Sequence, residues 1–409
     1  MYWRRTRLRS GNPPIYGGKF MQKFSTPMLF TPGPVGVSPR VLAAGSQPMI
    51  HHRTHEFHVI LDNVITKMKK MFGTADDVLM VHTSGRGAME GALRNLFVPG
   101  EKILSICNGK FGHMFASIAE SCDLKVQRMF EDWLQPVDLE QIDFALKNDP
   151  SIKGVTVIHS DTSTAVLNPV ADLGRIVRRH DRLLIVDCIS SLGAMEFKLD
   201  EWQVDAAITA SQKGLMSPAG LSFVAIGNRG WAAGEKGTKP GYYVNFKNIK
   251  KFYDEKRETP GSTPISLVAS VNEALEMIFE EGPENVYHRH AVISQAIKNS
   301  LQAMGLTLLP EGDVDRSHSV TVFKVPSGIK PATIREMAKD KYGILITMAA
   351  GHFDFNKTAL RIGHLGLVTT REALLVISVL ELILFELGAV NKPGRGLEAY
   401  HSTLKSAGW

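Results

Sequence analysis

Cysteine is scarce: Cys107, Cys122 and Cys188 are the only three in 409 residues. An odd number at such wide spacing makes neither a disulfide framework nor a paired metal motif, so no metal and a reducing, cytoplasmic setting are expected. Long apolar runs are lacking too. The strongest, 374-LLVISVLELILFEL-387, contains Glu381 and Glu386. It also falls short of the roughly 18–20 residues that span a bilayer, which points to a buried helix and no membrane partner. Acidic residues are missing from residues 1–20, where Arg4, Arg5, Arg7, Arg9 and Lys19 supply five of the six net positive charges. The remainder is close to neutral and offers no basic face to nucleic acid. An acid-free, Arg-rich start has the composition of a transit peptide, but Gly11, Pro13 and Pro14 interrupt any amphipathic helix. Residues 1–20 are expected to lie outside the fold, with Met21 as an alternative start.

The rest is ordinary globular material, 44% hydrophobic and 22% charged, long enough for two or three domains. Short β-rich runs alternate with helical stretches. The strands expected first are 78-VLMVHT-83, 103-ILSIC-107, 154-GVTVIH-159, 183-LLIVD-187, 206-AAITA-210 and 221-LSFVAIG-227. Helices are expected near 86–97, 112–121, 138–147 and 169–179. This alternation predicts a mostly parallel α/β sheet covered on both faces. A long helical region over 265–304 leads to a smaller α/β unit with strands 319-SVTVFKV-325, 344-ILITM-348 and 359-ALRIGH-364 and helices near 331–341 and 370–388. The expected organisation is a large domain over 21–275, whose segment 21–40 packs near the site, a small domain over 276–390 and a tail over 391–409.

In open α/β sheets ligands bind beyond the carboxyl ends of the strands, and four such places carry polar residues. After the first strand, 84-SGRGAMEGAL-93 is a glycine turn opening a helix, either a phosphate cradle or a tight turn alone. Asp187 ends an apolar strand and needs a partner if buried, although it also suits a local cap. The stretch 159-HSDTSTAVLNP-169 clusters hydroxyls and one acid, which a self-satisfied turn would also explain. Lys213 interrupts the small apolar residues of 206-AAITASQKGLMSPAGLSFVAIG-227. Buried, its amine would be a nucleophile suited to Schiff-base chemistry; otherwise it reaches for water from a loop. Neither a dinucleotide-type GxGxxG nor a Walker lysine motif is present. An amine, a strand-end acid and an anion cradle are together what pyridoxal 5′-phosphate requires for its aldehyde, ring nitrogen and phosphate.

With those pieces in place, the sequence resembles the class V aminotransferases, fold-type I pyridoxal-phosphate enzymes, in the alanine/serine–glyoxylate branch. The matching stretches run in family order over roughly 29–390: 31-TPGPVGVSPRV-41, 52-HRTHEF-57, 84-SGRGAMEGAL-93, 108-NGKFG-112, 159-HSDTSTAVLNP-169, 183-LLIVDCISSLG-193, 211-SQKGLMSPAG-220 and 361-RIGHLG-366. The resemblance implies that Lys213 carries the cofactor and shuttles the proton, and that Asp187 pairs with the ring nitrogen. It implies that Phe111 lies against the ring with Thr162 nearby, and that Ser84, Gly85 and Gln212 bind the phosphate. Arg361 would clamp the substrate carboxylate beside Gly33. Arg86 stands where many relatives have Thr or His, and serves either the phosphate or the substrate pocket. Asp161 is a shorter acid than the family's usual Glu.

A hydroxyl from 259-TPGSTPISL-267 is expected to reach a neighbouring subunit's phosphate in a homodimer. Thr259, Ser262 and Thr263 all qualify, and the resemblance favours Ser262. The implied reaction is a ping-pong transfer of an amino group from a small amino acid such as alanine or serine to a 2-oxo acid such as glyoxylate or pyruvate. Alternatives are a lyase or desulfurase on the same fold, another class V transaminase such as ureidoglycine–glyoxylate, and a non-catalytic binding protein. Desulfurases typically carry a His before the lysine, a His on the ring and a reactive cysteine, where this chain has Gln212, Phe111 and no cysteine after Cys188.

Overall fold

Runs such as 183-LLIVD-187 and 206-AAITA-210 are buried along their whole length, as strands covered on both faces must be. The structure, a computed structural model, describes residues 26–130, 133–312, 314–349 and 355–409. The expectations for residues 1–20 and Met21 fall outside these. Seven strands, β1 (Asp77–Val81), β2 (Lys102–Ile106), β3 (Lys125–Met129), β4 (Ile152–Ile158), β5 (Leu183–Asp187), β6 (Ala206–Ala210) and β7 (Ser222–Ile226), form one sheet in the order β1-β7-β6-β5-β4-β2-β3. Only β7 runs antiparallel to its neighbours. Ile158 pairs with Asp187 and Asp187 with Ile208. The chain therefore leaves β4, β5 and β6 at one edge of the sheet.

The helices are α1 (His55–Phe72), α2 (Gly85–Leu96), α3 (Lys110–Ser121), α4 (Leu139–Asn148), α5 (Val170–Arg179) and α6 (Ile265–Glu281). One core joins the sheet to α1, α4, α5 and α6 through Phe57, Val64, Ile142, Leu173, Val268 and Leu275. On the other face α2 and α3 pack Leu93 and Phe115 onto Leu79, Ile208 and Val224. The region 265–304, expected as one helical stretch, breaks at Gly282, whose φ is 87°. Glycine adopts that angle without strain, and Pro283, with no N–H to give back to α6, starts α7 (Pro283–Ala303). The expected boundary at 275/276 thus falls inside α6, and the change of core comes after Gly282.

The second core, built on residues such as Ile293, Leu301, Phe323, Ile362 and Leu380, lies beside a four-stranded antiparallel sheet. Its strands are β8 (Leu308–Leu309), β9 (Val320–Lys324), β10 (Thr347–Met348) and β11 (Ala359–Gly363), in the order β8-β9-β11-β10. The stretch 344-ILITM-348 divides: Ile344 and Leu345 pair with Met28 and Leu29, while Thr347 and Met348 join β11. Helices α8 (Pro331–Tyr342), α9 (Thr370–Glu386) and α10 (Arg395–Ser406) complete the unit. Residues 391–409, expected as a tail, thus contain a docked helix with Tyr400 buried in this core. Glu381 explains the docking: buried in apolar α9, it accepts the Gly396 N–H at the start of α10 at 2.7 Å. No helix among the described residues is long and apolar enough to cross a membrane.

Candidate active site

Between β6 and the antiparallel β7 the chain crosses the carboxyl edge of the sheet, and Lys213 lies on that crossing. It borders a cavity of about 440 Å³ together with Asp187, Phe111, Gln212, Gly33 and the turn Ser84-Gly85-Arg86. Five scattered sequence stretches therefore meet at one place. Met114, Ile158, Ser160, Ile189, Ser190 and Ala219 line it too.

The Lys213 amine donates to the carbonyl of Pro32. A side chain on Gly33, whose φ is +124°, would run into the Lys213 side chain. Glycine is what allows the segment after Phe30 to pass over the amine. Burial pushes the Lys213 pKa down to about 8; the Asp187 carboxylate opposes this and the Arg361 guanidinium adds to it. Asp187 is 4% exposed, and its Oδ1 accepts the Ile189 N–H at 2.7 Å. Burial raises its pKa to about 7, against the pull of that N–H and with a push from Asp161.

The Ser84 hydroxyl makes no bond to its own helix, although Ser84 is the N-cap of α2. The first N–H groups of α2 have no acceptor within the helix and carry its positive dipole end. Gly85 sits against Ile189 with no room for a side chain. The Oε1 of Gln212 is buried without a hydrogen-bond partner among the described residues. Arg86 is exposed, with no hydrogen-bond or ion-pair partner among the described residues.

Asp161 does not itself border the cavity. Its Oδ2 accepts the N–H groups of Phe111 and Gly112 at 2.9 and 3.3 Å, and its Oδ1 accepts the N–H and hydroxyl of Ser163 at 2.9 and 2.6 Å. It caps α3 and thereby fixes Phe111, and the shorter acid fits because Gly109 gives it room. Thr162 is buried, but its carbonyl rather than its hydroxyl has the identifiable partner: it accepts from Nη1 of Arg361 at 2.8 Å. Arg361 also donates through Nε to the Met348 carbonyl at 3.0 Å. Among the described residues these two bonds leave Nη2 and one Nη1 hydrogen, an end-on pair that suits a carboxylate. Burial lowers the Arg361 pKa to about 10, against a pull from Asp161.

Ser262 and Thr263 do not line this chain's cavity. Ser262 is exposed, while Thr263 is buried and shares a hydrogen bond with Thr259. The 52-HRTHEF-57 segment opens α1, where Arg53 and His58 face Glu258. Cys188 follows Asp187 but turns away, donating to the Ile208 carbonyl at 3.1 Å. Pro32 acts through its backbone, which leaves no side-chain signal in the sequence, and Ser160 was hidden among the hydroxyls of 159–169.

The donor set fits one cofactor: an amine with depressed pKa, a buried acid with one free oxygen, and a helix start with an uncapped hydroxyl and an orphaned amide beside it. With a mostly parallel seven-stranded sheet beneath it, this arrangement defines a fold-type I pyridoxal-phosphate enzyme. The chain belongs to the class-V aminotransferase family, whose family model matches residues 40–361. It is 33% identical over 391 residues to the serine–glyoxylate aminotransferase of Methylorubrum extorquens, covering 92% of this chain and 96% of that protein. It is 31% identical over 376 residues to the L-aspartate–glyoxylate aminotransferase of Paracoccus denitrificans, covering 91% and 94%. The solved ureidoglycine–glyoxylate aminotransferase of Bacillus subtilis superposes with a TM-score of 0.87 at 27% identity, covering 93% and 99%. The protein is a pyridoxal-phosphate-dependent transaminase.

Proposed function

We propose that the enzyme transfers the amino group of a small amino acid, alanine or serine, to a 2-oxo acid, glyoxylate or pyruvate, in two half-reactions at this one cavity. The observation that carries this reading is Arg361, a largely buried guanidinium with an unused end-on pair of donors, close enough to Lys213 to lower its pKa. The relatives named above share glyoxylate and differ in amino donor, which supports glyoxylate as acceptor.

Each side chain has a task that follows from its surroundings. Pyridoxal phosphate, when bound, supplies the aldehyde that takes up the amino group and the ring that withdraws electrons from the substrate Cα. Lys213 holds the cofactor between turnovers and, as a free amine, takes the Cα proton and returns it; a pKa near 8 leaves a neutral fraction at physiological pH. Asp187 keeps a proton on the ring nitrogen by charge pairing. The Ser84 hydroxyl, the Gly85 and Arg86 N–H groups and the NH2 of the Gln212 amide would bind the phosphate. Phe111 would pack on the ring, and the Thr162 carbonyl holds Arg361 in place. Arg361 would orient the substrate carboxylate, with Gly33 bordering the cavity.

Arg361→Lys should keep the cofactor but lose affinity for amino and oxo acids alike, because one point charge replaces two parallel hydrogen bonds. The expected loss is about 1.5–3 kcal/mol, on the order of 10- to 100-fold. Titration with alanine, serine and glyoxylate reads it, and unchanged affinity for all three would remove Arg361 from the site. A panel of amino donors against glyoxylate, pyruvate and 2-oxoglutarate tests the substrate assignment.

The same reading makes the working unit a homodimer, with Ser262, and Thr263 if its bond to Thr259 opens, reaching the phosphate of the neighbouring copy. Exposed Ser262 supports it. So do Tyr242 and Tyr243, 93% and 67% exposed, which border a hollow with Thr259, Pro260 and Gly261. Light scattering should give twice the 45.0 kDa chain mass; a fully active monomer would rule the dimer out. A reducing, cytoplasmic setting is part of the proposal and is supported by the burial of Cys107, Cys122 and Cys188.

A further inference from the structure

Gly366, five residues beyond Arg361, is held at both of its backbone polar groups by two adjacent residues of α7. Its N–H donates to Nε2 of His290 at 2.9 Å, and its carbonyl accepts from Nη1 of Arg289 at 3.2 Å. His290 is fully buried, and its Nδ1 donates to the Val286 carbonyl at 2.7 Å. The ring proton is therefore on Nδ1, and Nε2 is an acceptor. Burial lowers the His290 pKa to about 3, so the ring stays neutral in that role. Arg289 also donates to the Val368 carbonyl at 2.8 Å, while both oxygens of Glu281 hold its other edge at 2.6 and 3.1 Å. The guanidinium is thus fixed by Glu281 and aimed at the loop.

The other side of Gly366 presses on the catalytic crossing. A Cβ there would lie 3.4 Å from the Lys213 carbonyl, 3.3 Å from Cγ of Met216 and 3.1 Å from Val35, at a φ of +80°. Upstream, the Gly363 N–H donates to the Phe30 carbonyl at 2.8 Å, and a side chain on Gly363 would strike Thr31. The chain from Arg361 to Gly366 is therefore threaded between the strap that covers Lys213 and the loop that carries it. The bonds of Arg361 to Met348 and Thr162 orient its guanidinium. They do not tie it to the Lys213 loop; the 363–366 contacts do.

We infer that Arg289 and His290 are positioning residues of the transamination site, holding Gly366 against the Lys213 loop and so fixing the separation between the Arg361 guanidinium and the Lys213 amine. This rests on the roles given to Arg361 and Lys213 above. Neither residue needs to touch substrate or cofactor. Displacement of a reacting group by about 1 Å costs on the order of 100-fold in rate, so a clasp outside the cavity has a measurable effect on turnover.

The test compares holoenzyme variants His290→Leu, which removes the acceptor, and His290→Gln, which puts one back near Nε2. Arg289→Met loosens the same loop from a partly exposed position and serves if His290→Leu does not fold. Five quantities are read: KM and kcat with alanine and glyoxylate, the Kd of the unreactive carboxylate propionate, the cofactor Kd, and amide hydrogen exchange over 361–368. His290→Leu should raise KM and the propionate Kd about 10-fold, lower kcat about 10- to 100-fold, leave the cofactor Kd within about 2-fold and expose the Gly366 amide to exchange. His290→Gln should recover most of each. Faster exchange with unchanged propionate binding and kcat would overturn the inference, as would a cofactor loss in step with the rate. Arg361→Lys is measured alongside: if it leaves propionate binding unchanged, the carboxylate assignment falls, whereas weakened binding there with none in His290→Leu overturns the clasp alone.

Discussion

Lys213→Ala is expected to abolish transamination while leaving the protein folded. The amine has two tasks, anchoring the cofactor and moving the Cα proton, and loss of a positioned general base alone removes about 10²- to 10⁴-fold in rate. The absorption band of lysine-bound cofactor should vanish with it. Folding should not suffer, because the amine's one hydrogen bond among the described residues is to the Pro32 carbonyl and its depressed pKa marks an environment that disfavours its charged form. The sign of the pH effect follows. An amine whose folded pKa is lowered to about 8 works as a base in its neutral form, so the rate of the proton-transfer step rises with pH and levels off above about 8. The variant should lose that limb, and added methylamine should restore some turnover by filling the vacated space with a free base. Comparable turnover in Lys213→Ala, without added amine, would sink the assignment of the catalytic centre.

The strands that carry this centre were legible because burial on both faces leaves no choice of residue type: β5 and β6 were placed residue for residue from 183-LLIVD-187 and 206-AAITA-210. Edge strand β3 was not, since 125-KVQRM-129 is exposed or half-buried along its length and its pairing with β2 is a tertiary fact. The amphipathic α1 lies outside the helices expected from the sequence, although Phe57, Leu61, Val64, Met68 and Phe72 form its buried face. Lys213 and Asp187 stood out by charge in apolar surroundings, whereas Arg361 was marked only by the resemblance of 361-RIGHLG-366 to the family motif. Contacts made by backbone groups had no such signature: the Pro32 carbonyl on Lys213, the Thr162 carbonyl on Arg361 and both polar groups of Gly366 become visible only when the chain is folded. Asp161 shows the intermediate case. Its position beyond a strand marked it as notable, but its partners, the N–H groups at the start of α3, lie 50 residues away.

The second large effect is expected at Asp187, where stability and activity should move in opposite directions. In the folded, cofactor-free protein this carboxyl has a pKa near 7 against an ordinary 3.8. The folded state thus binds its proton more tightly than the unfolded chain. The protonated group's contribution to stability is complete below about pH 4 and is lost as pH rises to about 7. A shift of about 3 units at roughly 1.4 kcal/mol each makes this loss on the order of 4 kcal/mol. Asp187→Asn replaces the group by a neutral isostere, so the cofactor-free variant should melt above wild type at pH 7–8 and alongside it near pH 4. A positively charged ring nitrogen offsets the cost of a buried carboxylate, so cofactor should stabilise wild type far more than the variant. Breaking a buried charge pair from one side costs about 3–5 kcal/mol, which corresponds to a fall in transamination rate of roughly 10²- to 10⁴-fold. Thermal melts of both proteins from pH 4 to 8, with and without cofactor, and single-turnover rates with alanine decide it. Near-normal turnover in Asp187→Asn would remove the residue from the reaction, and parallel melting curves for the two cofactor-free proteins would show that its carboxyl is already ionised at neutral pH.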